Sequence, residues 1–92
     1  MSQILVVDDE RKMRRILQIV LEGLDIESVA ASSAEEALEL FDKQQFDLVL
    51  TDLKLPGMDA LEMLPKLREH DADVPIIVLT AYGTVQTAVD AM

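Results

Sequence analysis

Asp8 and Asp9 end the apolar run Ile4-Leu5-Val6-Val7, and Asp52 ends a second run, Leu48-Val49-Leu50-Thr51. Short apolar runs bounded by polar residues read as strands buried on both faces of a parallel sheet. Carboxylates at the C-terminal ends of such strands project into the crevice where open α/β sheets bind ligands. Three of them there repel one another: two unit charges roughly 4 Å apart cost on the order of 4 kcal/mol at an effective dielectric near 20. Either protons are retained or a cation sits among them. Magnesium usually sits as a hard divalent ion held through oxygen, with waters and a phosphate completing its shell. The cluster therefore suggests a metal and a phosphoryl group. The plainer reading, that each aspartate caps a helix or loop, suits any one of them better than all three together.

The elements that must carry these residues follow from the spacing. Residues 3–8 read as a first strand. Met13, Ile16, Leu17, Val20, Leu21 and Leu24 recur at helical spacing, with Gly23 as a stop. Residues 26–31 alternate weakly and suggest a second, less buried strand. Ser33 and Glu36 form a capping box for a helix that turns Ala34, Ala37, Leu38 and Phe41 inward. A third strand spans 47–52, and Pro56-Gly57 punctuates the loop after it. Asp59 caps a helix presenting Leu61, Leu64 and Leu67, which Pro65 should kink. Val74 to Thr80 is the fourth and most apolar strand, and Gly83 to Met92 reads as a fourth helix carrying Val85, Ala88, Val89 and Met92. This βαβαβαβα alternation implies a parallel sheet with helices on both faces.

Composition excludes several functions. Ninety-two residues make one domain or a piece of one, and half of them are hydrophobic, so a core is expected. A formal charge of −10 disfavours binding to nucleic acid or an anionic membrane. Without cysteine there is no disulfide framework, thiolate site or thiol nucleophile. The N-terminus has no signal-peptide pattern and no run is long enough to span a membrane, so a cytoplasmic protein is the expectation. His70 stands alone, with no partner acid in the sequence pattern, and reads as a surface residue. Arg11, Lys12, Arg14 and Arg15 lie early on the first helix, where the dipole disfavours them. Two readings stand for them: a docking edge beside the acidic pocket, or a solvated face.

Three segments together, Val7-Asp8-Asp9-Glu10, Asp52-Leu53-Lys54-Leu55-Pro56-Gly57-Met58-Asp59 and Leu79-Thr80-Ala81, resemble the receiver domain of bacterial two-component response regulators. The stretch from Thr80 to Met92 is most similar to the nitrogen-regulation (NtrC, sigma-54-dependent) type. The resemblance implies a flavodoxin-like (CheY-like) doubly wound sheet in the order 2-1-3-4, a family order that the handedness of the pattern alone does not supply. It implies that Asp52 accepts a phosphoryl group from a sensor histidine kinase, and that Asp9 binds Mg2+ directly and Asp8 through water. Lys54 would complete the metal shell with its backbone carbonyl, and Asp52 would be a ligand as well as the acceptor. Thr80 would donate its hydroxyl to the phosphate and switch the following loop, and the Ala81 amide would add a second donor. Residues 1–92 would be the N-terminal three quarters of such a domain, without the fifth strand, its phosphate-binding lysine and the fifth helix.

The expected role is a phosphoacceptor signalling module, not an enzyme, whose output is transcriptional through effector ATPase and DNA-binding domains elsewhere in a full-length protein. A phosphatase of the haloacid dehalogenase type would need Asp-x-Asp after the first strand, which this chain lacks. A flavin site would be repelled by Asp8-Asp9-Glu10. The structural alternative is a signalling-incompetent fragment that self-associates through an open fourth-strand edge.

Overall fold

The computed structural model describes residues 3–79 and the backbone of residues 85–87. Its elements are β1 (Gln3–Val7), α1 (Arg11–Gly23), β2 (Glu27–Ala31), α2 (Ala34–Lys43), β3 (Leu48–Asp52), α3 (Ala60–His70), β4 (Ile76–Leu79) and β5 (Val85–Thr87). The first four strands are parallel and lie in the order 2-1-3-4, as the resemblance implies.

Strand alternation divides the core between the two faces. Leu5 and Val7 of β1, Val49 of β3, and Ile76 and Val78 of β4 pack with Ala34, Ala37 and Phe41 of α2 and with Met63, Leu64 and Leu67 of α3. Ile4 and Val6 face the other way, onto Leu21 of α1, with Leu17, Ile26, Leu48 and Leu50 around them. Asp47 secures the β1–β3 register from the lower end: its carboxylate accepts from the Gln3 amide at 2.8 Å, and its own amide donates to the Gln3 carbonyl at 2.8 Å.

Local chemistry sets the helix ends. Ser33 Oγ accepts from the Glu36 amide at 3.1 Å, and Glu36 Oε1 reaches back to the Ser32 amide at 2.6 Å, so the capping box closes one residue further upstream than its usual form. Asp59 caps α3 through the Glu62 amide at 3.0 Å. At the end of α1 the left-handed residue is Asp25 (φ 61°), not Gly23. The Ile26 amide donates to the Leu21 carbonyl at 2.9 Å and the Asp25 amide to that of Glu22 at 3.0 Å. That bonding pattern is a Schellman motif, completed by Ile26 packing beside Leu21.

Several further expectations are changed by the structure. Val85–Thr87, read as part of a helix, is a strand antiparallel to β4, with Leu79 opposite Val85; the rest of the 83–92 segment lies outside the described residues. An antiparallel return needs only a short connection, satisfies β4's outer amides and carbonyls, and suits the β-branched Val85 and Thr87. The β4 edge is therefore paired where it was expected to be open.

Of the apolar residues expected on α1, Leu21 is buried and Leu17 half-buried. Met13 (37%), Ile16 (53%), Val20 (54%) and Leu24 (64%) are exposed. A helix lying on one edge of a sheet face covers only part of a wide apolar arc. Leu61 is likewise exposed, and Met63 is fully buried in its place, because the inward stripe of α3 runs through Ala60, Met63, Leu64 and Leu67. Pro65, the expected kink point, lies inside α3 at an exposed position.

The backbone at Asp25 yields a stability prediction. Left-handed geometry costs an L-residue roughly 1–2 kcal/mol, less for Asp or Asn. Asp25→Gly should raise the thermal midpoint and Asp25→Val lower it, at about 4–8 °C per kcal/mol for a domain of this size. A Val variant that melts with the parent would contradict the φ assignment.

Candidate functional site

Parallel pairing of β1 with β3 sets Val7 against Thr51, so the residues that follow, Asp8 and Asp52, leave the sheet at the same level. Asp9 follows Asp8 on the turn into α1. One carboxylate oxygen from each of Asp8, Asp9 and Asp52 lies within 4.8 Å of the others. The three residues that the sequence singles out are thus brought together, with Asp8 buried, Asp52 half-buried and Asp9 exposed.

Asp8 is the constrained member, at 6% exposure. Its amide donates to the Ala31 carbonyl of β2 at 3.1 Å. Its Oδ1 accepts from the Glu10 amide at 2.8 Å, and its carbonyl accepts from Arg14 Nη1 at 2.8 Å. Burial is the main cause that pushes the Asp8 carboxyl above the ordinary carboxylate range. The charges of Asp52, Asp9 and Glu10 add to it, against the lowering effect of the Glu10 amide.

Below Asp52, Thr51 is fully buried and donates its hydroxyl to the Asp52 carbonyl at 3.0 Å. Beyond it the chain is tied to β4 by the Leu53 amide bonding the Leu79 carbonyl at 3.0 Å. Lys54 is exposed in the loop that follows, and Leu55 turns into the core. Gly57 takes φ 75° there, and a Cβ on it would stand 3.2 Å from Glu35 Oε2, so two constraints favour glycine. Thr80 and Ala81 lie outside the described residues.

The basic cluster on α1 separates on inspection. Arg11, Lys12 and Arg15 are exposed, whereas Arg14 is half-buried and turns back to the Asp8 carbonyl. Sequence spacing gave no means of choosing among the four. His70, read as having no partner acid, has its Nδ1 3.7 Å from Asp42 Oδ1 and lies edge-on to Phe41, at the end of the sheet away from the aspartates.

A trio of carboxylate oxygens is a donor set for a hard divalent cation, and neither nitrogen nor sulfur from the described residues joins it. No helix among those residues is long and apolar enough to cross a membrane.

Comparison with known proteins gives a consistent result. The family model described as "Response regulator receiver domain" matches residues 4–92. The regulatory protein AtoC of Escherichia coli K12 is 38% identical over 91 residues, covering 99% of this chain and 20% of that protein. The transcriptional regulatory protein ZraR of the same strain is 39% identical over 89 residues, covering 97% of this chain and 20% of that protein. This chain therefore spans about a fifth of the length of these curated relatives. Among solved structures, the response regulator protein TrrA of Thermotoga maritima in complex with Mg(2+)-BeF superposes with a TM-score of 0.84 at 41% identity, over 89% of this chain and 71% of that one. TrrA in complex with histidine kinase ThkA gives 0.83 at 40% identity, over 91% and 72%.

Raised titration of Asp8 sets the sign of a pH effect. Its folded-state value exceeds the ordinary 3.8, so the native chain holds the proton more tightly than the unfolded one. Stability is then lost as pH rises from about 3.8 through the folded-state value, and the loss stays constant above it. Without divalent cation, Asp8→Asn should raise the thermal midpoint at pH 7, and the gain should vanish below pH 3.8. A gain that is flat across that window would show that Asp8 is not the group under strain.

Proposed function

This chain belongs to the response regulator receiver domain family, and from that premise we propose that it accepts a phosphoryl group on Asp52. The observation that carries the reading is the convergence of Asp8, Asp9 and Asp52 at the ends of β1 and β3. The donor is a phosphohistidine on a sensor histidine kinase, a partner suggested by the TrrA–ThkA complex. An Asp52 oxygen bonds to phosphorus as the phosphorus–imidazole bond breaks; the imidazole nitrogen keeps the electron pair and takes a proton. The product is an aspartyl phosphate. A carboxylate is a weak nucleophile, so alignment and charge neutralisation supply most of the rate.

Mg2+ fits the oxygen donor set, and TrrA carries it. Asp8, Asp9, Asp52 and the backbone carbonyl of Lys54 would hold the ion. When bound, it supplies the positive charge that lets an anionic phosphoryl group approach three carboxylates. The Thr80 hydroxyl and the Ala81 amide donate to the phosphoryl oxygens. The new charge then draws Thr80 inward and biases the loop after it. The module is regulatory and its output transcriptional through effector domains of the kind that the names and lengths of its relatives suggest, and its expected setting is cytoplasmic.

The decisive experiment is incubation with acetyl phosphate and Mg2+, followed by intact mass. One phosphoryl adduct is expected on the parent chain, none on Asp52→Asn, and none when the metal is chelated. An adduct undiminished in Asp52→Asn would overturn the assignment.

A second reading, self-association, is favoured by the exposed stripe Met13, Ile16, Val20 and Leu24 on α1. The helix is basic at its start (Arg11, Lys12, Arg15) and carries Glu22 in its last turn, with Asp25 just beyond its end. Antiparallel contact between the α1 helices of two copies buries both stripes and sets unlike charges side by side. Sedimentation should report a concentration-dependent dimer that Ile16→Glu with Val20→Glu reduces to monomer. A parent chain that stays monomeric at high concentration would exclude it.

A further inference from the structure

Arg14 stands where α1 disfavours it. It lies in the positive half of the helix dipole, on a helix with no acidic residue in its first turn and no side-chain cap at Glu10. Three neighbouring bases share that handicap and project into solvent, whereas Arg14 is half-buried and places Nη1 2.8 Å from the Asp8 carbonyl. That bond completes a set around Asp8. Its amide is held by β2, its side chain by the Glu10 amide and its carbonyl by α1, so the turn carrying Asp8 and Asp9 is fixed from three directions.

We propose that Arg14 is a positioning residue that, by holding the Asp8 carbonyl, sets where the Asp8–Asp9 pair presents its carboxylates to a divalent cation shared with Asp52. The inference rests on the metal-binding part of the reading above and adds to it a residue outside the carboxylate cluster. The guanidinium is cationic, so two accounts of it predict opposite signs. If Arg14 acted only through its charge, removing it would tighten cation binding, because a nearby positive charge repels the ion. If it acts by positioning, removing it weakens binding although the site becomes more negative. Loss of an outer-shell partner of this kind typically costs 10- to 100-fold in metal affinity, as an order of magnitude.

Mg2+ affinity measured by calorimetry on the full chain, well below its melting temperature, separates these cases. Arg14→Met keeps the apolar stem and should weaken Mg2+ binding about 10-fold. Arg14→Lys keeps one donor and the charge, and should recover most of the loss. Arg15→Ala removes an exposed neighbour and should bind like the parent or slightly tighter. Thermal midpoints taken on the same samples report any purely structural role, which would lower the midpoint and leave the affinity of the folded chain unchanged. Arg14→Met binding Mg2+ as tightly as the parent, or more tightly, overturns the proposal and leaves the phosphoacceptor reading intact. A parent chain with no Mg2+ affinity overturns the metal-binding reading and this proposal with it.

Discussion

Repulsion among three carboxylates is the constraint around which this fold is arranged. Pairing β1 with β3 in parallel brings Asp8 level with Asp52, and the turn into α1 delivers Asp9 beside them. Among the described residues, no basic side chain is ion-paired with these carboxylates. The protein tolerates the repulsion by binding the strained member firmly: every main-chain polar group of Asp8 and one of its carboxylate oxygens has a partner. On the proposed reading, a cation would find its three carboxylate donors already assembled by folding.

The remainder of the molecule supports that arrangement from a distance. Asp47 and Gln3 exchange two hydrogen bonds at the far end of the β1–β3 pair, where a one-residue slip would move Asp52 away from Asp8 and turn Val49 out of the core. The α2–α3 face supplies most of the buried apolar surface and so most of the stability. The α1 face is thinner, and its helix keeps an exposed apolar stripe. The protein is therefore well anchored on one side of the sheet and under-covered on the other, and two of the three carboxylates, Asp8 and Asp9, sit on the turn between β1 and the less covered helix.

Much of this could be read without coordinates. The four parallel strands, three helices and both side-chain caps follow from patterns only a few residues long, and Ser33 and Asp59 act where their spacing places them. The failures have a common origin. Helical periodicity identifies an apolar arc but not how much of it a neighbour covers, which is why Met13, Ile16 and Val20 are exposed and why Leu61 and Met63 exchange roles. The apolar spacing of residues 85–92 suits a helix, yet Val85–Thr87 follows the unpaired edge of β4. Tertiary pairing outweighed local preference there.

The sequence by itself determined which side chains could do chemistry, because carboxylates at the ends of apolar runs are a property of composition and order. It also determined the side-chain caps at Ser33 and Asp59, since such a cap involves residues only three apart. Only the tertiary structure decided that Asp8 would be the buried member of the trio, that Arg14 rather than its basic neighbours would hold the Asp8 turn, and that β4 would gain an antiparallel partner. Those outcomes depend on which elements meet in space, and burial and hydrogen bonding between elements far apart in the chain leave little trace in local residue order.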